Sequence, residues 1–380
     1  MIPAAVLKGT APLTYEEDGM ERANTGLITP SRRNFLKAMG VVTAAGLINA
    51  CTSNGGSAST TAAGAAAGAG AGIFPETPEW NFVFVNHVTT NPFFVPTVYG
   101  IEDASALLGT TFQWTGSEIA DNGEMVNSME AAIAAGADGI GVALVDLEAF
   151  NGPTDEALGQ GIPVLSYNAD APNSRLSYVG QDLYGSGFEM GLRIVELVGS
   201  GKVALFIATP GQLNIQPRID GAIDAIAESG ADIEALDIAT GADLTEELNT
   251  VEAWYLGNQD ATGMFAVDAG STQAVGQVVR DQNARDNALV GAGGYDLLPE
   301  TVELVSEGVL DFTIDQQPYL QGFLPVVYMY LYRLSGGVVT PPETNTGLVF
   351  LDSSSAQLFL ETESRFEGDA EEQKVLEPVG

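Results

Sequence analysis

Seven short stretches of this chain carry side chains suited to gripping a small polar molecule: Asn91-Pro92-Phe93-Phe94, Trp114-Thr115-Gly116-Ser117-Glu118, Asn168-Ala169-Asp170, Thr209-Pro210-Gly211-Gln212, Asp268-Ala269-Gly270, Gly293-Gly294-Tyr295-Asp296 and Asp315-Gln316-Gln317-Pro318. Planar carboxylates and amides engage neighbouring hydroxyl groups two at a time, and aromatic rings cover C–H faces. A monosaccharide presents both features. A phosphate would call for glycine-rich turns with Lys or Arg, and these stretches contain neither cation. His87, the sole histidine, stands just before Asn91 and reads either as a structural histidine or as a ligand hydrogen bond. Trp114 reads equally as core or as cleft wall.

Composition removes several rival chemistries. The 380 residues hold 50 Asp plus Glu against 14 Lys plus Arg, a formal charge of -36. Such a field repels nucleic acid and anionic headgroups, so no nucleic-acid partner is expected. One cysteine permits neither an internal disulfide nor a thiolate zinc cluster, and one histidine leaves little for imidazole catalysis; no metal and no cofactor is implied. A nucleophile-and-base enzyme would lack partners. Two-carboxylate glycoside chemistry stays formally open, its sign being two carboxylates roughly 5–10 Å apart across a cleft with one raised pKa. The acids are spread along the chain and lysines are scarce. Molar salt shrinks the Debye length to roughly 3 Å and removes the self-repulsion, so the composition reads as a halophile's.

Ser31-Arg32-Arg33-Asn34-Phe35-Leu36-Lys37 resembles a twin-arginine motif, and the apolar run Ala38 to Ala50 behind it is too short to span a bilayer. Ile48-Asn49-Ala50-Cys51 resembles a lipoprotein processing site, which makes 1–51 a lipoprotein signal and Cys51 a lipidated N-terminus anchored outside the cell membrane. Residues 52–77, largely Ala, Gly, Ser and Thr, read as a flexible tether.

The elements that must position the seven stretches follow from periodicity. Apolar runs predict strands at Asn81 to Val85, Thr111 to Thr115, Gly139 to Leu144, Pro163 to Tyr167, Val203 to Ala208, Ile233 to Ile238, Gly263 to Val267, Leu289 to Ala292 and Leu310 to Ile314. Helices are expected over 94–108, from a cap at Asp121, and near 147–159, 184–198, 217–229, 244–257, 271–283, 298–307 and 319–334. Met125, Met129 and Ile133 give the Asp121 helix its apolar face. Strand and helix in alternation imply α/β architecture with parallel sheets, and ligands then bind at the carboxyl ends of the strands. The seven stretches lie there.

From Trp80 to Asp352 the chain resembles the solute-binding proteins of sugar ABC importers, the ribose-binding type of the two-lobed periplasmic binding fold. The markers are Asn91-Pro92-Phe93-Phe94, Gly161-Ile162-Pro163-Val164, Tyr178-Val179-Gly180-Gln181-Asp182, Gly294-Tyr295-Asp296 and Phe312-Thr313-Ile314-Asp315-Gln316-Gln317-Pro318, in that order. The resemblance implies two doubly wound parallel-sheet lobes joined by a three-strand hinge. The N-terminal lobe would take 78–182 plus 317–345 and the C-terminal lobe 183–316 plus 346–353. An acidic tail, 354–380, has no assigned role. Crossings are expected near Gln181–Tyr184, Gln316–Pro318 and Thr344–Gly347.

Carried over by position, the resemblance makes Asn91 a polar contact and Phe93 and Phe94 aromatic walls. It places Asn168 where the family has the Asp of an Asp-Arg pair, with Ala169 in the arginine's place. A ribose-specific site is therefore not expected, and xylose or glucose is preferred. Arg218, Asp268, Asp296 and Gln316 complete the ligand set. For Arg218 the alternative is a surface salt bridge at a helix start, for the phenylalanines core packing, and for Asp296 a helix cap. The implied partners are a monosaccharide and a membrane ABC permease, with the protein a monomer and not an enzyme. A sugar or nucleoside sensor coupled to a membrane receptor, or an acidic glycoside-processing enzyme, are the alternatives. A regulator of this fold would carry a helix-turn-helix where this chain has its export signal.

Overall fold

The computed structural model describes residues 75–376. The twin-arginine segment, Cys51 and the tether up to residue 74 lie outside the described residues.

The first half alternates β1 (Asn81–Asn86), α1 (Val95–Leu108), β2 (Thr111–Gly116), α2 (Asn122–Ala134), β3 (Gly139–Val142), α3 (Asn151–Gly159), β4 (Val164–Tyr167) and β5 (Ser177–Gly180). The pattern repeats with α4 (Leu183–Val198), β6 (Ser200–Ile207), α5 (Gln216–Ser229), β7 (Asp232–Ala239), α6 (Leu244–Gly257), β8 (Gly263–Ala266), α7 (Ala269–Asp281), β9 (Gly291–Tyr295), α8 (Pro299–Ser306) and β10 (Phe312–Asp315). Then come α9 (Pro318–Leu334), β11 (Glu343–Asn345), β12 (Val349–Leu351) and α10 (Ser353–Leu360).

Among the described residues these strands form two six-stranded sheets, ordered β11, β5, β4, β3, β1, β2 and β12, β10, β9, β8, β6, β7. Every pairing is parallel except β10 with β12. Helices α1, α2, α3 and α9 pack on the first sheet, and α4 to α8 with α10 belong to the second. The inner strands β3, β4 and β8 are buried at every position, as helices on both faces require. Asp121 caps α2 by accepting the Glu124 backbone N–H (2.9 Å), and Met125, Met129 and Ile133 are buried beneath that helix.

The chain passes between the sheets at three places: Gly180 to Leu183, Asp315 to Pro318 and Asn345 to Val349. The crossings are stitched together. Thr346 N donates to Gly180 O (2.9 Å), Gln181 Nε2 to Gly347 O (3.0 Å) and Gln317 Nε2 to Thr346 O (2.6 Å).

Two elements differ from the sequence expectation for physical reasons. The strand expected at Leu289 to Ala292 runs from Gly291 to Tyr295. Its glycines carry no apolar pattern, yet a Cβ on Gly294 would run into Thr272 of α7, so bare backbone is what fits under that helix. The helix expected from 147 starts at Asn151, because Asp146 Oδ1 takes the N–H groups of Glu148 and Ala149 in a turn of its own. Strand β5 was not expected as a strand, and the three-residue edges β11 and β12 are too brief for a periodicity to register.

The segment after α10 is a strap. Helix α10 rests on α8 of the second lobe, while Arg365 docks on α1 of the first. Its guanidinium lies 3.9 Å from the Tyr99 ring centroid, bonds Glu102 (2.6 Å) and pairs with Asp103 (3.2 Å). Phe366 packs edge-on against Tyr319 of α9 at 4.8 Å.

Helices α4 and α5 approach backbone to backbone, because a Cβ on Gly187 would run into the Arg218 carbonyl oxygen. Gly187→Ala therefore overpacks this contact, and an overpacked core costs about 1–3 kcal/mol. The check is a lower denaturant midpoint at unchanged m-value.

Candidate functional site

A cavity of about 540 Å³, open mouth included, lies between the lobes at the carboxyl ends of both sheets. All eight residues named from the sequence line it: Asn91, Phe93, Phe94 and Asn168 from the first lobe, Arg218, Asp268 and Asp296 from the second, and Gln316 from the crossing after β10. His87 lines it too, with Thr209, Asn214, Ala242 and Glu247.

The first lobe supplies an aromatic wall. Asn91 Oδ1 accepts the Phe93 N–H (2.9 Å) and starts a short 3-10 turn that turns both phenylalanines inward. Phe93 and Phe94 meet edge to face at 4.7 Å, and His87 stands edge-on to Phe94 at 5.4 Å. Trp114 does not line the cavity. It backs Phe94 at 5.9 Å and gives its indole N–H to Thr89 O (3.1 Å).

A chain of amides runs along the cavity floor from one lobe to the other. Asn168 Nδ2 donates to Gln321 Oε1 (3.2 Å), Gln321 Nε2 to Gln316 Oε1 (3.0 Å), and Gln316 Nε2 to Asp296 Oδ1 (2.8 Å). Thr346 Oγ1 donates to Gln316 O (2.7 Å) from the third crossing. Asn168, Asp296 and Gln317 all hold left-handed backbone angles, with φ of 63°, 74° and 56°. Three such non-glycine residues at the floor and hinge mark stored strain at a working part of the molecule. Asp296 is no helix cap, since Leu298 holds that position in α8.

Arg218 is the cation of the second lobe. It is 2% exposed, and its guanidinium lies 4.1 Å from the Tyr295 ring centroid. Nη1 donates to Val267 O (2.8 Å) and Nη2 to Gln181 Oε1 (3.2 Å), while Nε finds no partner. Every other Lys and Arg among the described residues has a carboxylate within ion-pair distance; Arg218 does not. It is not the surface salt bridge that a helix-start arginine could have been.

Carboxyl groups lining the same cavity are in unusual states. Burial pushes Asp296 up to about 7, with Arg218 pulling the other way. Asp268 uses Oδ1 to cap α7 through Ser271 N (2.9 Å) and Oδ2 to hold Ala208 N (2.9 Å) at the end of β6. Burial raises its pKa also. Beside it, Glu247 is pushed up to about 9, by burial first and by Asp268 second. Glu247 was not foreseen: its Glu246-Glu247 pair in the first turn of α6 reads as helix-dipole charge, and nothing local shows that one of the two turns inward. These two carboxyls sit in contact on one lobe, not facing each other across the cleft.

The lobes are closed on the cavity. Leu213 N donates to Val145 O (2.9 Å) and Gln212 Nε2 to Ala120 O (3.0 Å). Asn214 Nδ2 meets His87 Nε2 at 3.1 Å. Ala269 and Leu298 of the second lobe are buried in the first lobe's core.

Residues 82–336 match the periplasmic binding protein domain, and residues 29–48 match the signal sequence of the twin-arginine translocation pathway. The chain belongs to the periplasmic binding protein family. It is an exported, extracytoplasmic protein. It is 50% identical over 330 residues, 83% of this chain and 81% of the relative, to the xylose/arabinose-binding protein XylF of Sulfolobus acidocaldarius. A solute-binding protein of an ABC transporter from Burkholderia graminis, solved in complex with D-arabinose, shares the fold with a TM-score of 0.69 at 24% identity, over 74% of this chain and 98% of that one. The arabinose-binding protein AraP of Geobacillus stearothermophilus does so with a TM-score of 0.60 at 22% identity, over 74% and 99%. As a member of this binding-protein family the chain is not an enzyme.

Burial lowers the His87 pKa from 6.5 to about 4. The unfolded chain therefore binds a proton that the folded chain refuses. The stability from a neutral His87 is complete above about pH 6.5 and is lost as pH falls toward 4, by up to about 3 kcal/mol. Against a His87→Gln variant, in which the carboxylates cancel, the wild type loses unfolding free energy more steeply across that window.

Proposed function

We propose that this protein captures a monosaccharide, an aldopentose such as xylose or arabinose with glucose as the hexose alternative, and delivers it to a membrane ABC permease. The observation that carries this reading is a set of buried polar atoms without partners around one cavity: Asn168 Oδ1, Asn214 Oδ1, Arg218 Nε and Glu247 Oε2. Unpartnered buried groups are costly, and a polyhydroxylated ring with apolar faces completes them while stacking on Phe93 and Phe94. The half-identical relative is named for xylose and arabinose, which supports a pentose. On this reading Asn91, Phe93, Phe94, Asn168, Arg218, Asp268, Asp296 and Gln316 are the ligand contacts. The lobes 78–182 plus 317–345 and 183–316 plus 346–353 move as bodies about the three crossings, and closure buries the sugar and completes the surface that a permease reads. Cys51 carries the lipid anchor and the protein works as a monomer.

Calorimetric titration of the full chain with D-xylose, L-arabinose, D-glucose, D-ribose and several nucleosides tests the assignment. A pentose is expected to bind, Asp296→Ala to weaken it by tenfold or more, since a hydrogen bond to a charged group contributes about 1.5–3 kcal/mol, and Phe94→Ala to weaken it as well, because the stacking face against the sugar is lost. A response to nucleosides alone sinks it.

The charge composition further supports a protein built for molar salt. Raising KCl from about 0.1 M to 2 M is expected to raise the melting temperature, because screening relieves self-repulsion that the few cations cannot offset. A flat or falling curve removes the halophile reading.

A further inference from the structure

Glu247 is the buried acid of the cleft that neither the sequence pattern nor the ligand set above accounts for. It is 2% exposed, it lines the cavity, and its Oε2 has no N–H or O–H donor within reach. Its neighbour is another carboxyl, Asp268, whose two oxygens already hold the Ala208 and Ser271 amides. Gly270 leaves the room, since a Cβ there would run into Glu247 Oε2. Two carboxyls pressed together in a buried site cannot both ionise.

We propose that Glu247 and Asp268 share one proton and that this acid–carboxylate pair reads a single hydroxyl of the bound sugar, which makes Glu247 a specificity residue of the cleft. The proposal rests on the sugar-binding reading. Asp268, stabilised by two backbone amides, keeps the charge, and Glu247 keeps the proton. The pair then offers the ligand oxygens that accept, without the repulsion of two anions. A hydroxyl meets it as donor, and a ligand lacking that hydroxyl leaves it desolvated and incomplete. The other groups bearing on the pair fit this balance. Asp243 caps the same helix and adds negative charge that favours holding the proton. Arg218 and Asp296 of the same lobe and His87 of the other line the same cavity. His87 is neutral at pH 7, and Arg218 is the one fixed positive charge of the cleft.

The sign follows from the raised value of about 9. Glu247 keeps its proton below it, and its contribution to binding weakens as pH rises through it, when a second anion appears beside the ligand, by up to tenfold for each further pH unit.

Glu247→Gln, which keeps the shape and a donor but cannot ionise, separates this from a packing role. Titrations of the full chain with D-xylose and L-arabinose at pH 8 and pH 10 are expected to show affinity falling about tenfold in the wild type and by less than about threefold in Glu247→Gln. Glu247→Ala, with its fold checked by melting temperature, is expected to lose tenfold or more already at pH 8. Parallel pH profiles in wild type and Glu247→Gln, or full affinity in Glu247→Ala, overturn the proposal. A ligand-free arm reads the proton directly: the infrared difference between wild type and Glu247→Gln at pH 8 is expected to contain the C=O stretch of a protonated carboxyl. Its absence overturns the shared proton whatever the sugars do. A wild type that binds neither sugar overturns the functional reading and the specificity role with it, while the infrared band still decides whether the proton is there.

Discussion

The cleft depends on how one positive charge is kept in a buried place. A guanidinium stripped of water and given no touching carboxylate is expensive. Arg218 is held by the face of Tyr295, by Val267 O and by Gln181 Oε1, and a desolvated cation–π contact contributes about 2 kcal/mol or more. Each support fixes a larger element. Tyr295 ends β9, Val267 follows β8, and Gln181 is in the first crossing. The close approach of α4 to α5 at Gly187 brings the helix bearing Arg218 into register. The charge also explains its neighbours: Asp296 sits at about 7 because burial and Arg218 pull against each other.

The amide chain from Asn168 through Gln321 and Gln316 to Asp296 does a different task. Amides carry a donor and an acceptor on one rigid plane, so a line of them transmits orientation without a net charge. It crosses from one lobe to the other where the backbone also crosses, and its two ends are left-handed residues. The polar floor and the hinge are thus one piece of structure.

Much of this was legible in the sequence. Alternating apolar strands and amphipathic helices pointed to the parallel sheets, and the rule that ligands meet strand carboxyl ends pointed to the loops bearing Asn91, Phe93, Phe94, Asn168, Asp268, Asp296 and Gln316, while Arg218 came from the family resemblance. What escaped has a common cause. Glu247 and Asn214 reach the cavity by tertiary packing of α6 and of the loop after β6, and local spacing does not record which way such side chains turn. The glycine strand β9 has no side chains from which a period could be read. The strap after Leu360 fell in the acidic tail that had no assigned role, because its docking rests on two residues, Arg365 and Phe366. Trp114 was poised between core and wall, and it proved to stand in a second layer behind the wall.

That strap sets a length. Its helix is seated on the second lobe and Arg365 on the first, with residues 361–364 between them. Five extended steps of chain, at about 3.5 Å each, reach roughly 17 Å. On the side where the strap lies, the rims of the two lobes have a leash: they part only as far as those few residues stretch, and any wider gape requires Arg365 to leave its acids or α10 to lift from α8.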